Sequence, residues 1–368
     1  MKRSFIREML ESINEDTISF AGGLPDETLF PTEALAQIAP SVFNDPRKWQ
    51  YAQGSGLVEL RAWIAARYSR MGFATTAEEI LITTGSQQAM YLIARANFER
   101  AITIERPSYL GAINVFKLNR MPIEAIALES DGVTCNAFEQ SLKKTQLAYI
   151  ISDFQNPTTT TYSQEKRECI AKLILQHHAH LIEDAPYSEL YFETPHQPIS
   201  QLIPDHSYHL GSFSKILAPS LRLGWIRASH DKIKRLLPIK ESIDLHSSTL
   251  SQYVVYEYLK MQADNYEIRL TQLRQAYKQK SEIFCDLIDK HLQDFHYQRP
   301  QGGMFVYGRL EGIDTKALLQ RALKHNVVFV PGAEFYPNEV LTTEMRLNFT
   351  RATPKQMEQG LKTLSTLL

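Results

Sequence analysis

Three short stretches carry residues whose types and order suit chemistry. In Gly211-Ser212-Phe213-Ser214-Lys215, a lysine follows small and hydroxyl-bearing residues that leave room for a planar group. A lysine that is buried, or set beside other cations, loses proton affinity and becomes a nucleophile toward a carbonyl. Downstream, Arg222 in Pro219-Ser220-Leu221-Arg222-Leu223-Gly224-Trp225 offers a rigid fork of donors suited to phosphate. An isolated lysine is ordinarily a solvated surface group. The phosphate-compatible neighbours argue against that reading for Lys215.

The second stretch is Thr83-Thr84-Gly85-Ser86-Gln87-Gln88, where an apolar run gives way to a helical pattern. Free N–H groups and the positive end of the dipole favour an anion at such a helix start. The plainer reading is an N-cap by Ser86. Neither GxGxxG nor GxxxxGK[ST] occurs. The third stretch, His180-Leu181-Ile182-Glu183-Asp184-Ala185-Pro186-Tyr187, sets a carboxylate where an apolar strand ends, the edge at which open α/β sheets bind ligands. Asp184 there suits a protonated ring nitrogen, and Tyr187 a phenolate. Asn156, in Phe154-Gln155-Asn156-Pro157-Thr158, ends another strand and can donate to the same oxygen. Singly these residues read as a helix cap, a packed tyrosine and a turn asparagine. Their occurrence at successive strand ends is the stronger signal.

Such residues need elements to hold them. Leu60, Ile64, Ala65 and Tyr68 recur at helical spacing within 57–70. Apolar runs at 79–85, 101–107, 123–129, 147–153, 180–185, 207–213 and 223–229 read as strands. Helical patterns over 86–98 and 163–178 separate some of them, and a looped segment is expected after 101–107. Alternation of this kind predicts an α/β fold with a mostly parallel sheet. Beyond about Asp231 long helical patterns dominate, up to 292, and the end mixes short strands with one helix. The expected division is an N-terminal segment, 1–40, associated with a small α+β domain at 256–368, and a large ligand-binding domain at 41–255.

The 368 residues are 43% hydrophobic and 22% charged, with 40 Lys+Arg against 41 Asp+Glu and a net charge of -1. That balance argues against a disordered chain and against a broad basic face for nucleic acid. No apolar stretch reaches the ~18 residues that span a bilayer. The N-terminus acquires Glu8, Glu11, Glu15 and Asp16 too early for a secretory signal. Cys135, Cys169 and Cys285 form no CxxC pair, so a zinc knuckle or disulfide scaffold is not expected and a reducing, cytoplasmic location is. Cys169 reads as core. His177, His178 and His180 end a helical pattern, without HExxH, and no metal site is assigned to them.

Taken together and in order, TGSQQA, FQNPTTTTYS, EDAPY, GSFSK and PSLRLGW resemble fold-type I aminotransferases of class I/II, nearest the 2-aminoadipate and kynurenine/aminoadipate branch. The resemblance extends from SFAGGLPDETLFP to MRLNFT. It implies a seven-stranded, mostly parallel sheet, pyridoxal 5'-phosphate as cofactor, and amino acids and 2-oxo acids, 2-oxoglutarate foremost, as substrates in a ping-pong exchange. It further implies that Lys215 holds the cofactor as an internal aldimine, that Asp184 faces the pyridine nitrogen, and that Asn156 and Tyr187 meet the ring hydroxyl. Ser86, Gln87, Ser212, Ser214 and Arg222 fall in the phosphate region, and Tyr109 stacks on the ring. Tyr51 reaches the phosphate of a neighbouring subunit, which implies a homodimer with shared sites. Arg346 clamps the substrate α-carboxylate, with Gly23 in a mobile segment on the substrate side. One departure is visible: Thr159 stands where the family pattern NPTG has glycine, so an altered loop geometry is expected without loss of cofactor binding. Two rival readings share the fold. One is a β-lyase, separable by release of ammonia. The other is a noncatalytic sensor domain, disfavoured by the Lys215 and Arg346 matches and by a resemblance that starts almost at residue 1.

Overall fold

The computed structural model describes residues 14, 16–338 and 340–368, so Glu8, Glu11 and Glu15 of the acidic N-terminal stretch lie outside the described residues. Strands run in chain order as β1 (Ile18–Ser19), β2 (Ile80–Thr83), β3 (Ile102–Arg106), β4 (Ile123–Glu129), β5 (Gly132–Val133), β6 (Leu147–Ile150) and β7 (His180–Asp184). They continue as β8 (Ser207–Ser212), β9 (Gly224–Ala228), β10 (Phe295–Tyr297), β11 (Phe305–Leu310), β12 (Val327–Val328), β13 (Val330–Pro331) and β14 (Glu344–Asn348). The large sheet has the order β2-β9-β8-β7-β6-β3-β4-β5. It is the expected mostly parallel sheet, with the two-residue β5 added as an antiparallel edge to the seven strands foreseen. Strands β2, β6 and β8 are buried along their whole length, which is why they read as continuous apolar runs rather than alternating ones.

The parallel pairs β4–β3, β3–β6, β6–β7 and β7–β8 point their C-terminal ends at one edge. Thr83, Gly224 and Ser212 line up across β2, β9 and β8 at that same edge. The loops that leave it carry Gly85–Gln87, Tyr109, Asn156, Asp184–Tyr187 and Ser212–Lys215. The strand order reverses between β3 and β6, the place where doubly wound sheets open a crevice.

Helices cover both faces. Helix Val58–Arg70 buries Leu60, Ile64, Ala65 and Tyr68, the predicted stripe. The segment expected to loop after β3 is instead helix Leu110–Leu118, whose Ala112, Ile113, Val115 and Phe116 are buried against the sheet. Its nine residues carry too short an apolar stripe to declare themselves by period. The three-cysteine reading also changes. Cys135 opens helix Cys135–Thr145 and is disulfide-bonded to Cys169 of helix Gln164–Gln176, with Cα atoms 6.3 Å apart, while Cys285 is free and buried. Only the packing of those two helices brings the thiols together, so a separation of 34 residues gave no sign of it.

Beyond β9 the long helix Tyr266–His291 leads to the antiparallel sheet β10-β11-β14-β13. The start of the chain returns here: β1 pairs in parallel with β12, and Asn348 N–H donates to Phe20 C=O at 2.7 Å. The segment 20–24 thereby passes between the edge of the large sheet and β14.

Candidate active site

The anion cradle is built at helix Gly85–Ala96. Thr84 is its N-cap and makes no side-chain cap bond, so Ser86 lies inside the first turn and is not the cap. Gly85 has φ +75°, and a Cβ there would stand 2.8 Å from Arg222 Nη2. Glycine therefore answers both a left-handed backbone and a close approach. Arg222 is itself left-handed, with φ 53° and ψ 42°, and its guanidinium donates to Pro219 C=O and Thr84 C=O at 3.3 and 3.5 Å. Ser214 N–H donates to Ser212 Oγ at 3.1 Å, and Gln87 Nε2 donates to Gly111 C=O at 3.4 Å. Backbone N–H groups, three serines, a glutamine and an arginine thus meet at a positive helix end.

Lys215 Nζ donates to Gly23 C=O at 2.7 Å. Removal from water, with Arg346 and Arg222 nearby, brings its ammonium down to about 8 from an ordinary 10.5. Asp184, at the end of β7, is 1% exposed. Its Oδ2 accepts from Tyr149 Oη at 2.8 Å, whereas Oδ1 is buried with no partner among the described residues. Burial pushes this carboxyl up to about 7, the tyrosine bond pulling against it. An orphaned buried carboxylate oxygen is costly unless a donor or cation faces it.

On the third side, Asn156 Nδ2 donates to Tyr187 Oη at 3.1 Å, and its Oδ1 accepts from Arg346 Nη1 at 2.7 Å. Arg346 Nη2 donates to Ala21 C=O at 2.6 Å, while its Nε has no partner among the described residues. The guanidinium lies 4.1 Å from the Phe305 ring centroid and 5.0 Å from that of Phe335. Burial lowers it to about 10. Burial raises the Tyr187 phenol above its usual range. Gly23 packs beneath Phe305, where an added Cβ would come within 3.2 Å of the ring. The Tyr109 ring folds back over Gly111, in whose place a Cβ would stand 2.5 Å from it.

The sequence-predicted residues therefore converge, with one exception. Tyr51 is 78% exposed and meets His246 edge-on at 5.8 Å, facing outward. Thr159 adopts φ +63°, the left-handed region glycine usually fills, so the turn keeps a glycine-like shape with a β-branched residue in it. The histidine run does not converge: His177 faces Glu139 at 3.3 Å, and His180 stacks on His206. Sequence reasoning missed Tyr149 and Phe305. Tyr149 pairs with Ile182 across β6–β7, and alternation then puts it on the face of Asp184. That signal was available once the register was known.

The residues fit pyridoxal 5'-phosphate. Asp184 Oδ1 awaits a cationic partner, the cradle suits a phosphate, and Lys215 supplies an amine of lowered basicity. Comparison with known proteins agrees. Residues 17–364 match the family described as aminotransferase class I and II. The chain is 34% identical to aromatic-amino-acid aminotransferase 1 of Thermococcus litoralis, over 99% of this chain and 91% of that protein. It superposes on α-aminoadipate aminotransferase of Thermus thermophilus, complexed with N-(5'-phosphopyridoxyl)-L-leucine, with a TM-score of 0.92 and 32% identity, covering 100% of this chain and 95% of the other. Kynurenine aminotransferase of Pyrococcus horikoshii, in complex with PMP, gives a TM-score of 0.93 at 30% identity, covering 100% and 94%.

Proposed function

The chain belongs to the class I and II aminotransferases, and from that premise we propose that Lys215, Asp184, Asn156, Tyr187 and Arg346 exchange the α-amino group of an L-amino acid with a 2-oxo acid. Pyridoxal phosphate, when bound, supplies the carbonyl that condenses with amines and the ring that takes up electrons from the broken bond. Lys215 Nζ would hold it, and the free amine of Lys215 would be the base that removes the substrate Cα proton. An amine lowered to about 8 has an appreciable neutral fraction at neutral pH, which suits that role. Asp184 Oδ1 would accept from the protonated ring nitrogen. Asn156 and Tyr187 would donate to the ring oxygen, and Tyr109 would stack on the ring. Ser86, Gln87, Ser212, Ser214 and Arg222 bind the phosphate. Arg346 grips the α-carboxylate and so orients the Cα–H bond for cleavage. The observation that carries this reading is the buried, unpartnered Asp184 Oδ1.

Aromatic or 2-aminoadipate-like amino acids are the proposed donors, on the names of the similar proteins, with 2-oxoglutarate as acceptor. We place the enzyme in the cytoplasm, where the Cys135–Cys169 pair is expected to be reduced. The domain division at 1–40, 41–255 and 256–368 stays a proposal whose two inner bounds fall within helices Thr32–Phe43 and Thr249–Met261, and the β1–β12 pairing supports the first segment's association with the last. A steady-state panel of amino acids against 2-oxoglutarate and pyruvate, with ammonia measured alongside the oxo acid, tests the reaction. Ammonia release in step with product would make the enzyme a lyase. Lys215→Ala is expected to lose the cofactor's covalent absorption and nearly all turnover, and normal turnover would sink the assignment.

A further inference from the structure

We infer that Gln155, which lies beside the reacting groups without touching them, is the positioning residue that holds the Asn156 turn against the Tyr109 loop. The inference rests on the role proposed for Asn156. Gln155 is fully buried, and its amide is saturated at both ends. Nε2 donates to Glu105 Oε2 and to Pro107 C=O, each at 3.0 Å, while Oε1 accepts from Thr158 N–H at 2.9 Å and Thr158 Oγ1 at 2.8 Å. Two donors and two lone pairs are all a side-chain amide has. Exchanging its O and N would set like against like at Glu105, at Pro107 and at the Thr158 N–H, so the orientation is fixed by its surroundings. Pro107 leads directly into Ser108 and Tyr109, and Thr158 lies within the turn that starts at Asn156. The amide therefore ties together the loops that leave β3 and β6.

The anchor is itself held. Glu105, 1% exposed on β3, also accepts from Tyr162 Oη at 2.8 Å and Ile151 N–H at 3.4 Å. The need for an anchor comes from Thr159. A threonine in the left-handed region stores strain and persists only where its surroundings over-determine it. Gln155 supplies that constraint through its backbone as well. Its C=O accepts from Thr159 N–H at 2.6 Å, and its N–H donates to Thr160 C=O at 2.9 Å. Asn156 is the next residue, and it bridges Tyr187 and Arg346. A turn that relaxed toward an ordinary threonine conformation would draw Asn156 away from both.

Gln155→Leu removes all four side-chain bonds at similar volume. In the holoenzyme it is expected to keep the covalent cofactor absorption, because Lys215 is untouched. The KM for the amino donor is expected to rise about tenfold with a smaller change in kcat, the mark of lost substrate positioning. The pH midpoint of the cofactor's visible band is expected to rise by roughly one unit, as an oxyanion loses a donor. Thr159→Gly in the Gln155→Leu background is expected to restore much of the KM, because glycine adopts the turn unaided. A role in packing alone would lower thermal stability and leave KM and midpoint in place, and that result overturns the inference. So does a double variant no better than Gln155→Leu. Should Gln155→Leu not accumulate as folded protein, Thr158→Val, which removes one of the four bonds together with the hydroxyl's bonds to Thr160, takes its place, with Thr160→Val as the control for the latter. The KM rise expected of Thr158→Val is about threefold, and an unchanged KM would then refute the inference. Loss of turnover in Lys215→Ala beside a normal Gln155→Leu would refute Gln155 alone, leaving the proposed function in place.

Discussion

At the scale of single residues, the buried carboxyl of Asp184 is one of the groups that couple folding to pH. Burial raises it from 3.8 to about 7, and raises Glu105 from 4.5 to about 8. Between about pH 4 and 7 these two carboxyls keep protons in the cofactor-free folded chain that the unfolded chain has released, so their contribution to stability falls as pH rises through that window, opposed by His180 and His209, whose proton affinity burial lowers. Asp184→Asn cannot ionise. In urea titrations of the cofactor-free protein from pH 5 to 7 it is expected to flatten this decline, leaving the contribution of Glu105. An unchanged slope would mean that Asp184 is ionised throughout. In the holoenzyme a protonated ring nitrogen facing Oδ1 favours the carboxylate, and the wild-type decline should likewise shrink. Asp184, Lys215 and Asn156 were legible in the sequence because each ends an apolar run. Tyr149 was not, because nothing local distinguishes a tyrosine that packs from one that donates to a carboxylate.

Elements decide whether those side chains meet. The cradle depends on β9 lying close against the start of helix Gly85–Ala96. A Cβ at Gly224 would stand 2.8 Å from Gly211 C=O oxygen and 2.9 Å from both Gly85 C and Ser86 N. All three are backbone atoms, so no side chain can swing aside. Gly224→Ala is expected to cost about 1–3 kcal/mol of stability in urea denaturation and to weaken cofactor binding, measured by absorbance titration, at least tenfold. Wild-type affinity in that variant would show that the cradle tolerates a displaced strand. Strands β2, β6 and β8 were legible because they are buried along their whole length, whereas β4 is half-buried and showed by its apolar residues and its neighbours. Helix Leu110–Leu118 was not, since nine residues with a broad apolar surface fit a buried loop equally well.

For the whole molecule the open question is assembly. Tyr51 is 78% exposed, and Phe43 and Trp49 close by in the chain are 47% and 56% exposed. Aromatic surface of this kind is what a subunit interface buries, and we propose, as the family resemblance implies, a homodimer in which Tyr51 reaches the partner's site. Tyr51→Ala and Lys215→Ala proteins, unfolded together and refolded, are then expected to show more activity than either alone. Each mixed dimer would pair an intact lysine with an intact tyrosine from the other chain. Activity no greater than the sum of the separately refolded parents would place Tyr51 outside the partner's site. The sequence by itself determined the sheet and the chemistry at its edge, because burial patterning and strand-end motifs are local. Only the tertiary structure decided the meeting of Arg346 with Asn156 across 190 residues, of Arg346 with Ala21 across 325, and of Lys215 with Gly23 across 192. Those contacts depend on how one sheet docks against another with a segment of chain between them, and no periodicity along the chain encodes that.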